Sequence, residues 1–207
     1  MKVELIDKMG SDLTVVNAAR VSYGKHKEVI DASDEKLISF LARHNHWSPF
    51  AHCSVQFRIK APIFVARQLV KHQVGLSWNE ISRRYVDYEP EFHTPNTWRG
   101  RPIDSKQGSS GEIEIDNDYY TRYIHECKVY YNQLLNQGVA PEMARMVLPQ
   151  SMMTEWYWTG TLYAFARVCD LRCAKDTQLE TQEVANAIDT FCNEEFPYSW
   201  KYLRNRD

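Results

Sequence analysis

AHCSVQFRIK, residues 51 to 60, alternates strictly. Cys53, Val55, Phe57 and Ile59 fall on one side of an extended chain, and Ser54, Gln56, Arg58 and Lys60 fall on the other. Successive side chains of a strand point to opposite faces, so the stretch predicts a strand over Ala51–Lys60 with one buried and one polar face. Such a strand belongs in a mixed or antiparallel sheet covered by helices on one side. Upstream, Lys2–Ile6 alternates in the same way, and Ser33 ahead of Asp34 and Glu35 marks a helix start whose apolar stripe is Leu37, Ile38, Phe40 and Leu41. Downstream, Pro62 opens a helix through Ile63, Phe64, Ala66 and Val70 at its first turn.

The second half reads as helices around one aromatic strand. Arg99 to Asp118 contains three glycines and few large apolar groups, which predicts a surface loop. Tyr119–Gln137 is helical, and Pro141 opens a short helix that Pro149 stops. Thr154–Trp158 is strand-like. Leu162–Arg172 and Thr177–Phe196 are helices, the latter amphipathic through Leu179, Val184, Ile188 and Phe191. No internal repeat appears. The class is α+β, in one domain covering residues 1–207.

Composition narrows the function. The chain has 207 residues, 43% hydrophobic and 25% charged, with a formal net charge of −2. That balance supplies no global field for nucleic acid or an anionic membrane, so an anionic ligand needs a local cluster of cations. No apolar run reaches the roughly 18 residues of a membrane span. The start, MKVELIDKMG, lacks the apolar core of a signal peptide. Five cysteines (Cys53, Cys127, Cys169, Cys173, Cys192) form no CxxC pair, and the expected compartment is a reducing cytoplasm. Cys169 and Cys173, four residues apart, would offer one edge of a metal site, but thiols at that spacing more often simply pack. His44, His46 and His52 have irregular spacing and no cysteine or carboxylate to complete a tetrahedron, so no metal is expected.

The densest polar chemistry is RQLVKHQVGLSWNEISRRY, residues 67 to 85. Lys71, His72 and Gln73 end a helix at a turn containing Gly75, and hydroxyls and arginines follow with little apolar interruption. Turn amides, Ser82, Arg83 and Arg84 would cradle a phosphate. On composition alone an exposed polar loop explains the stretch equally well. Ser82 has no evident His–acid pair to activate it, so it reads as a phosphate contact rather than a nucleophile.

The stretch resembles the pattern RQ-x-x-RHR-x-x-S-x-NE-x-S-x-RY of flavin-dependent thymidylate synthases. Arg67, Gln68, His72, Ser77, Asn79, Glu80, Ser82, Arg84 and Tyr85 match it. Lys71 stands for its first signature arginine, Gln73 for its second, and one extra residue near Leu76 lengthens the spacer. Four further blocks follow the family in order: AARVSYG (18–24), HNHWSPFAH (44–52), ARMVLP (144–149) and DLR (170–172).

The resemblance implies reductive methylation of dUMP to dTMP. Methylenetetrahydrofolate gives the carbon, FAD carries the reducing equivalents, and NADPH regenerates the flavin. It implies a homotetramer with active sites shared between subunits, and nucleotide contacts from Gln68, Lys71, Glu80, Ser82, Arg83 and Arg84. Arg145 matches an arginine that reaches a neighbouring subunit's nucleotide. Arg172 is implied as the catalytic residue, lying against the uracil edge and stabilising charge that develops on the ring. Flavin contacts are implied for Ser22, His46, Ser48, Lys71, His72, Gln73 and Glu80. Thr161 and Arg167 stand where the family has asparagines, and Arg167 would restore the cation lost at Gln73. Trp156, Tyr157, Trp158 and Tyr163 read as core or subunit interface.

Two other readings remain at this level. One is a different C5 modification of a pyrimidine nucleotide, such as hydroxymethylation. The other is a nucleic-acid-binding module, against which the net charge of −2 speaks.

Overall fold

The computed structural model describes residues 1–103 and 106–205. β1 (Lys2–Met9) leads into α1 (Asp12–Arg20), a 3-10 turn (Val21–Tyr23), α2 (Ala32–Arg43) and the short α3 (Ser48–Ala51). β2 (Ser54–Pro62) passes directly into α4 (Ile63–Leu69), and β3 (Leu76–Glu80) follows. β4 (Trp98–Arg99) and β5 (Glu112–Ile113) form a small hairpin before α5 (Asn117–Asn136), α6 (Pro141–Ala144) and a 3-10 turn (Arg145–Val147). β6 (Met153–Thr161), α7 (Leu162–Arg172), α8 (Leu179–Glu195) and α9 (Pro197–Arg204) complete the chain.

Four strands make the main sheet in the order β1-β2-β6-β3, and every pairing is antiparallel. Its central pair, β2 and β6, sets Phe57 opposite Trp158 and Ile59 opposite Trp156. Val55, Phe57, Ile59, Trp156 and Trp158 are buried on one face. Phe165 of α7 meets Phe57 and Trp158 edge-on, with ring centroids 5.2 and 5.1 Å away. Edge-to-face pairs of this kind contribute about 0.5–1.5 kcal/mol each beyond burial. The other face carries Gln56 bonded to Thr159 at 2.9 Å and Arg58 paired with Glu155. The alternation in 51–60 therefore reports the sheet correctly, and helices cover one face.

Several boundaries differ from expectation. Ala51 belongs to α3 rather than to the strand, which begins at Ser54. Asp31, not Ser33, caps α2: its carboxylate accepts from the Ser33 amide at 2.8 Å. Pro62 is the last residue of β2 and the N-cap of α4, one place earlier than a first-turn proline. α4 stops at Leu69, so Lys71–Gln73 lie in a turn and not on a helix. Both ends of the 99–118 stretch are ordered in β4, β5 and the start of α5, because Arg99 pairs with buried Glu180 at 2.5 Å. Asp104 and Ser105 of that stretch lie outside the described residues.

Among the elements without a sequence forecast are β3, α1 and α9. β3 is an edge strand whose apolar signal is only Leu76 and Trp78. α1 and α9 form because each completes the other: buried Asp12, at the start of α1, accepts from the amides of Tyr198 and Ser199 at 3.0 and 2.7 Å. Those amides are among the unsatisfied donors at the N-terminus of α9.

Candidate active site

α4 ends where the chain must double back to reach the sheet edge. Gly75 makes this turn with φ +77°, a left-handed conformation that costs glycine little. Its carbonyl accepts from the Thr161 amide at 3.0 Å, where β6 gives way to α7. Thr161 caps α7 with its hydroxyl, which accepts from the Ala164 amide at 3.2 Å. The turn is thereby fixed against the first residues of α7. A recess of about 140 Å³ opens between them, walled by Lys71, His72, Gln73, Leu76, Arg167 and Leu171.

Arg172, at the last turn of α7, donates from Nε to His72 Nε2 at 3.0 Å. Nε2 must then carry the lone pair and Nδ1 the proton. Burial pushes the His72 pKa below its ordinary 6.5, and the Arg172 and Arg167 guanidinium groups push it further the same way. At neutral pH His72 is an uncharged imidazole that orients an arginine without opposing it. No described residue lining the recess is acidic, and Lys71 and Arg167 both reach it, which suits an anionic group such as a diphosphate. Gln73 and Arg167 both line it.

A second cluster lies at the other end of β3. Glu80 accepts from Thr154 Oγ1 at 2.7 Å and from Trp78 Nε1 at 3.1 Å. Trp78 stacks on Trp156, ring centroids 4.4 Å apart, which stiffens the strand that carries Glu80. Arg83 is turned inward instead of into a phosphate cradle: it is buried, lies 4.5 Å over the Tyr88 ring and donates to the Tyr88 carbonyl. Arg84 is exposed, with Nε 3.3 Å from Ser82 Oγ. Arg145, on the turn after α6, is exposed, and it lines a cavity of about 140 Å³ with Glu80 and Arg83.

Gln68 faces neither cluster directly. Its amide donates to Gln178 at 2.5 Å and accepts from the Thr181 hydroxyl at 3.2 Å, both on or beside α8. Ser22 is exposed on the first 3-10 turn, His46 on the link between α2 and α3, and Ser48 at the start of α3. His44 and His46 pack on Phe40, at centroid distances of 4.1 and 5.8 Å. A five-residue strand spans about 13 Å between its end residues. Within one chain, then, Lys71, His72, Arg167 and Arg172 gather at one end of β3, and Glu80, Ser82, Arg84 and Arg145 at the other.

Thr154, Gln178 and Thr181 escape a sequence reading, although they hold Glu80 and Gln68. Their partners lie 74, 110 and 113 residues away, and nothing local signals the pairing.

A cationic recess at one end of an edge strand, where a neutral histidine accepts from an arginine, and a second recess that combines Glu80 with Arg83 and Arg145 at the other end are features of a small-molecule site suited to an anion. The profile of the thymidylate synthase complementing protein family (Thy1) matches residues 4–198. A flavin-dependent thymidylate synthase of Thermus thermophilus is 41% identical over 201 residues, which cover 96% of this chain and 73% of that protein. One from Thermosipho africanus is 38% identical over 207 residues, 96% and 89% of the two chains. The crystal structure of the UMP/dUMP methylase PolB from Streptomyces cacaoi, bound with 5-Br dUMP, superposes with a TM-score of 0.86 at 32% identity. That superposition covers 99% of this chain and 94% of PolB. The chain belongs to the Thy1 family, that of the flavin-dependent thymidylate synthases.

Proposed function

We infer that this enzyme converts dUMP to dTMP, with methylenetetrahydrofolate as carbon donor and FAD reduced by NADPH. The observation that carries the residue-level reading is the His72–Arg172 contact at the rim of the cationic recess. Bound FAD would supply the reducing equivalents, held by Lys71, His72 and Arg167, with Gln73, Thr161, Glu80, Ser22, His46 and Ser48 as further contacts.

Arg172 is the catalytic residue of this reading. His72 takes the hydrogen bond from Nε, which leaves the terminal guanidinium nitrogens to face the uracil edge. Their fixed charge stabilises negative charge developing on the ring and raises the reactivity of C5. Arg84 and Ser82, with Arg145, seat the phosphate, and Gln68, Lys71 and Glu80 complete the nucleotide contacts. Lys71 brings charge without the planar fork of arginine. Arg83 serves this site by fixing the 82–88 segment rather than by touching phosphate.

The same geometry supports a shared assembly. Arg172 and Arg84 sit at opposite ends of β3, which favours a nucleotide site that takes one of them from a neighbouring subunit. Val21, Tyr23, Val74, Tyr85 and Met146 are large apolar side chains exposed around these elements, the surface expected of a subunit contact. We propose a homotetramer, read directly by light scattering coupled to gel filtration; a monomer that turns over dUMP excludes it. Among the described residues no helix is long and apolar enough to cross a membrane. The free cysteines fit a reducing cytoplasm.

The function is tested by anaerobic single turnover of the reduced holoenzyme with dUMP and methylenetetrahydrofolate. The expected product is dTMP by mass, with Arg172→Ala retaining flavin but losing product. Flavin oxidation without methylated nucleotide overturns the proposal. PolB acts on UMP as well as dUMP, so a second reading extends the substrate to UMP; turnover of the two nucleotides side by side separates them.

A further inference from the structure

Cys169, on the last turn of α7, and Cys173, the C-cap residue of that helix, lie four residues apart. Asp189 faces them from α8, and one ligand atom from each residue lies within 4.8 Å of the other two. We propose that Cys169, Cys173 and Asp189 bind a thiophilic divalent cation, Zn²⁺ by its chemistry, which clips the end of α7 to α8. The proposal goes beyond the expectation that the two thiols only pack.

Positions i and i+4 of a helix share a face, so both sulfurs point the same way. Zinc–sulfur bonds of about 2.3 Å set tetrahedral ligand atoms about 3.8 Å apart, and side-chain rotation closes the remaining gap. Thiolate sulfur with one carboxylate oxygen selects zinc over the hard cations magnesium and calcium. Three protein ligands leave a fourth position for water. Cys173 and Asp189 are half-buried, so that position opens outward, while Cys169 is fully buried beneath.

The carboxylate is already oriented. Asp189 Oδ1 accepts from Trp200 Nε1 at 3.0 Å and from Arg204 Nε at 2.7 Å, which leaves Oδ2 for a metal. Outer-shell hydrogen bonds of this kind hold ligands in place and tune affinity. The charge of Arg204 is partly offset because it also pairs with Asp170. With both thiols protonated, Asp170, Asp189 and Arg204 sum to one negative charge. One divalent cation entering and two thiol protons leaving keep that sum unchanged, so occupation adds no net charge to a half-buried place.

The site stands apart from the nucleotide chemistry but adjoins it in sequence, since Cys173 follows Arg172. An occupied site would fix the helix turn from which Arg172 reaches His72.

Untagged holoenzyme, treated with chelator and dialysed, is titrated with Co²⁺. Visible d–d bands of tetrahedral, thiolate-bound cobalt are read at wavelengths beyond the flavin's absorption. The expected result is saturation at one Co²⁺ per chain, displacement by Zn²⁺, loss of the bands in Cys173→Ser and a weaker titration in Asp189→Asn. Zn²⁺ should raise the melting temperature of the parent protein but not of Cys173→Ser, with both showing the same circular dichroism before metal is added. Absence of tetrahedral bands in the parent, or bands that persist unchanged in Cys173→Ser, overturns the proposal.

Discussion

Gly160→Ala should damage the site without removing any group that touches a ligand. Gly160 sits on β6 opposite Leu76, the first residue of β3. A Cβ there would lie 2.3 Å from Leu76 Cδ2 and 2.7 Å from the Gly75 carbonyl oxygen. Carbon contacts are comfortable at about 3.5–4.0 Å, so the leucine must rotate away by more than an ångström. The carbonyl cannot rotate, because it accepts from the Thr161 amide and closes the turn. The start of β3 must therefore shift by about half an ångström, and overpacking of this kind costs about 1–3 kcal/mol. For a chain of this size that lowers the melting temperature by about 2–12 °C. The turn that leads into that strand through Gly75 carries Lys71, His72 and Gln73, and it moves with the strand. A misplacement of about 1 Å can cost about 100-fold in rate, so half of it predicts about a tenfold fall in kcat. Differential scanning fluorimetry and dUMP turnover measure the two effects. Adding Leu76→Ala should restore part of the stability, because the carbonyl contact persists. A Gly160→Ala enzyme with parental melting temperature and turnover refutes the reasoning, and full recovery in the double variant would show that only the leucine side chain was confined.

Other outcomes follow from single contacts. The depressed pKa of His72 makes the native state reluctant to bind its proton, so this contribution to stability is complete above pH 6.5 and is lost as pH falls through the folded-state value. Protonation at Nε2 also removes the Arg172 hydrogen bond; kcat/KM should show an acid limb centred below 6.5 that disappears in His72→Gln, and an unchanged limb in that variant assigns it to another group. Asp12→Ala strips two amides of α9 of their acceptor and should cost about 2 kcal/mol, seen as a melting temperature lower by about 4–8 °C. Arg167→Ala should weaken FAD binding, and Gln73→Arg should restore it in that background, as both residues wall one recess; flavin fluorescence titration reads both, and no change in either variant rejects the compensation.

Legibility in the sequence tracked the range of the interaction. The alternation of Cys53, Val55, Phe57 and Ile59 needs only the local geometry of a strand, and its buried face appears as expected. Leu162–Arg172 was readable to both ends for the same reason, since its apolar positions and its threonine cap are contiguous. β3 was not. An edge strand is stabilised by one neighbour, here β6, and its own residues carry two apolar side chains and a run of polar ones. α1 and α9 depend on one another through Asp12, 186 residues from Tyr198. The inward turn of Arg83 had no local signal either; it answers to the fold of the segment reaching Tyr88.

The residues themselves determined the chemistry on offer: cations without a global positive field, a histidine beside a glycine turn, and five family blocks in order. Only the folded chain decided which of them meet. It joined His72 to Arg172 across 100 residues, set Gln73 and Arg167 on one wall, and divided the remaining arginines to the far end of a five-residue strand. Side-chain identity fixes what a group can donate or accept, whereas distance and burial fix whether it does, and those arise from packing between segments remote in sequence.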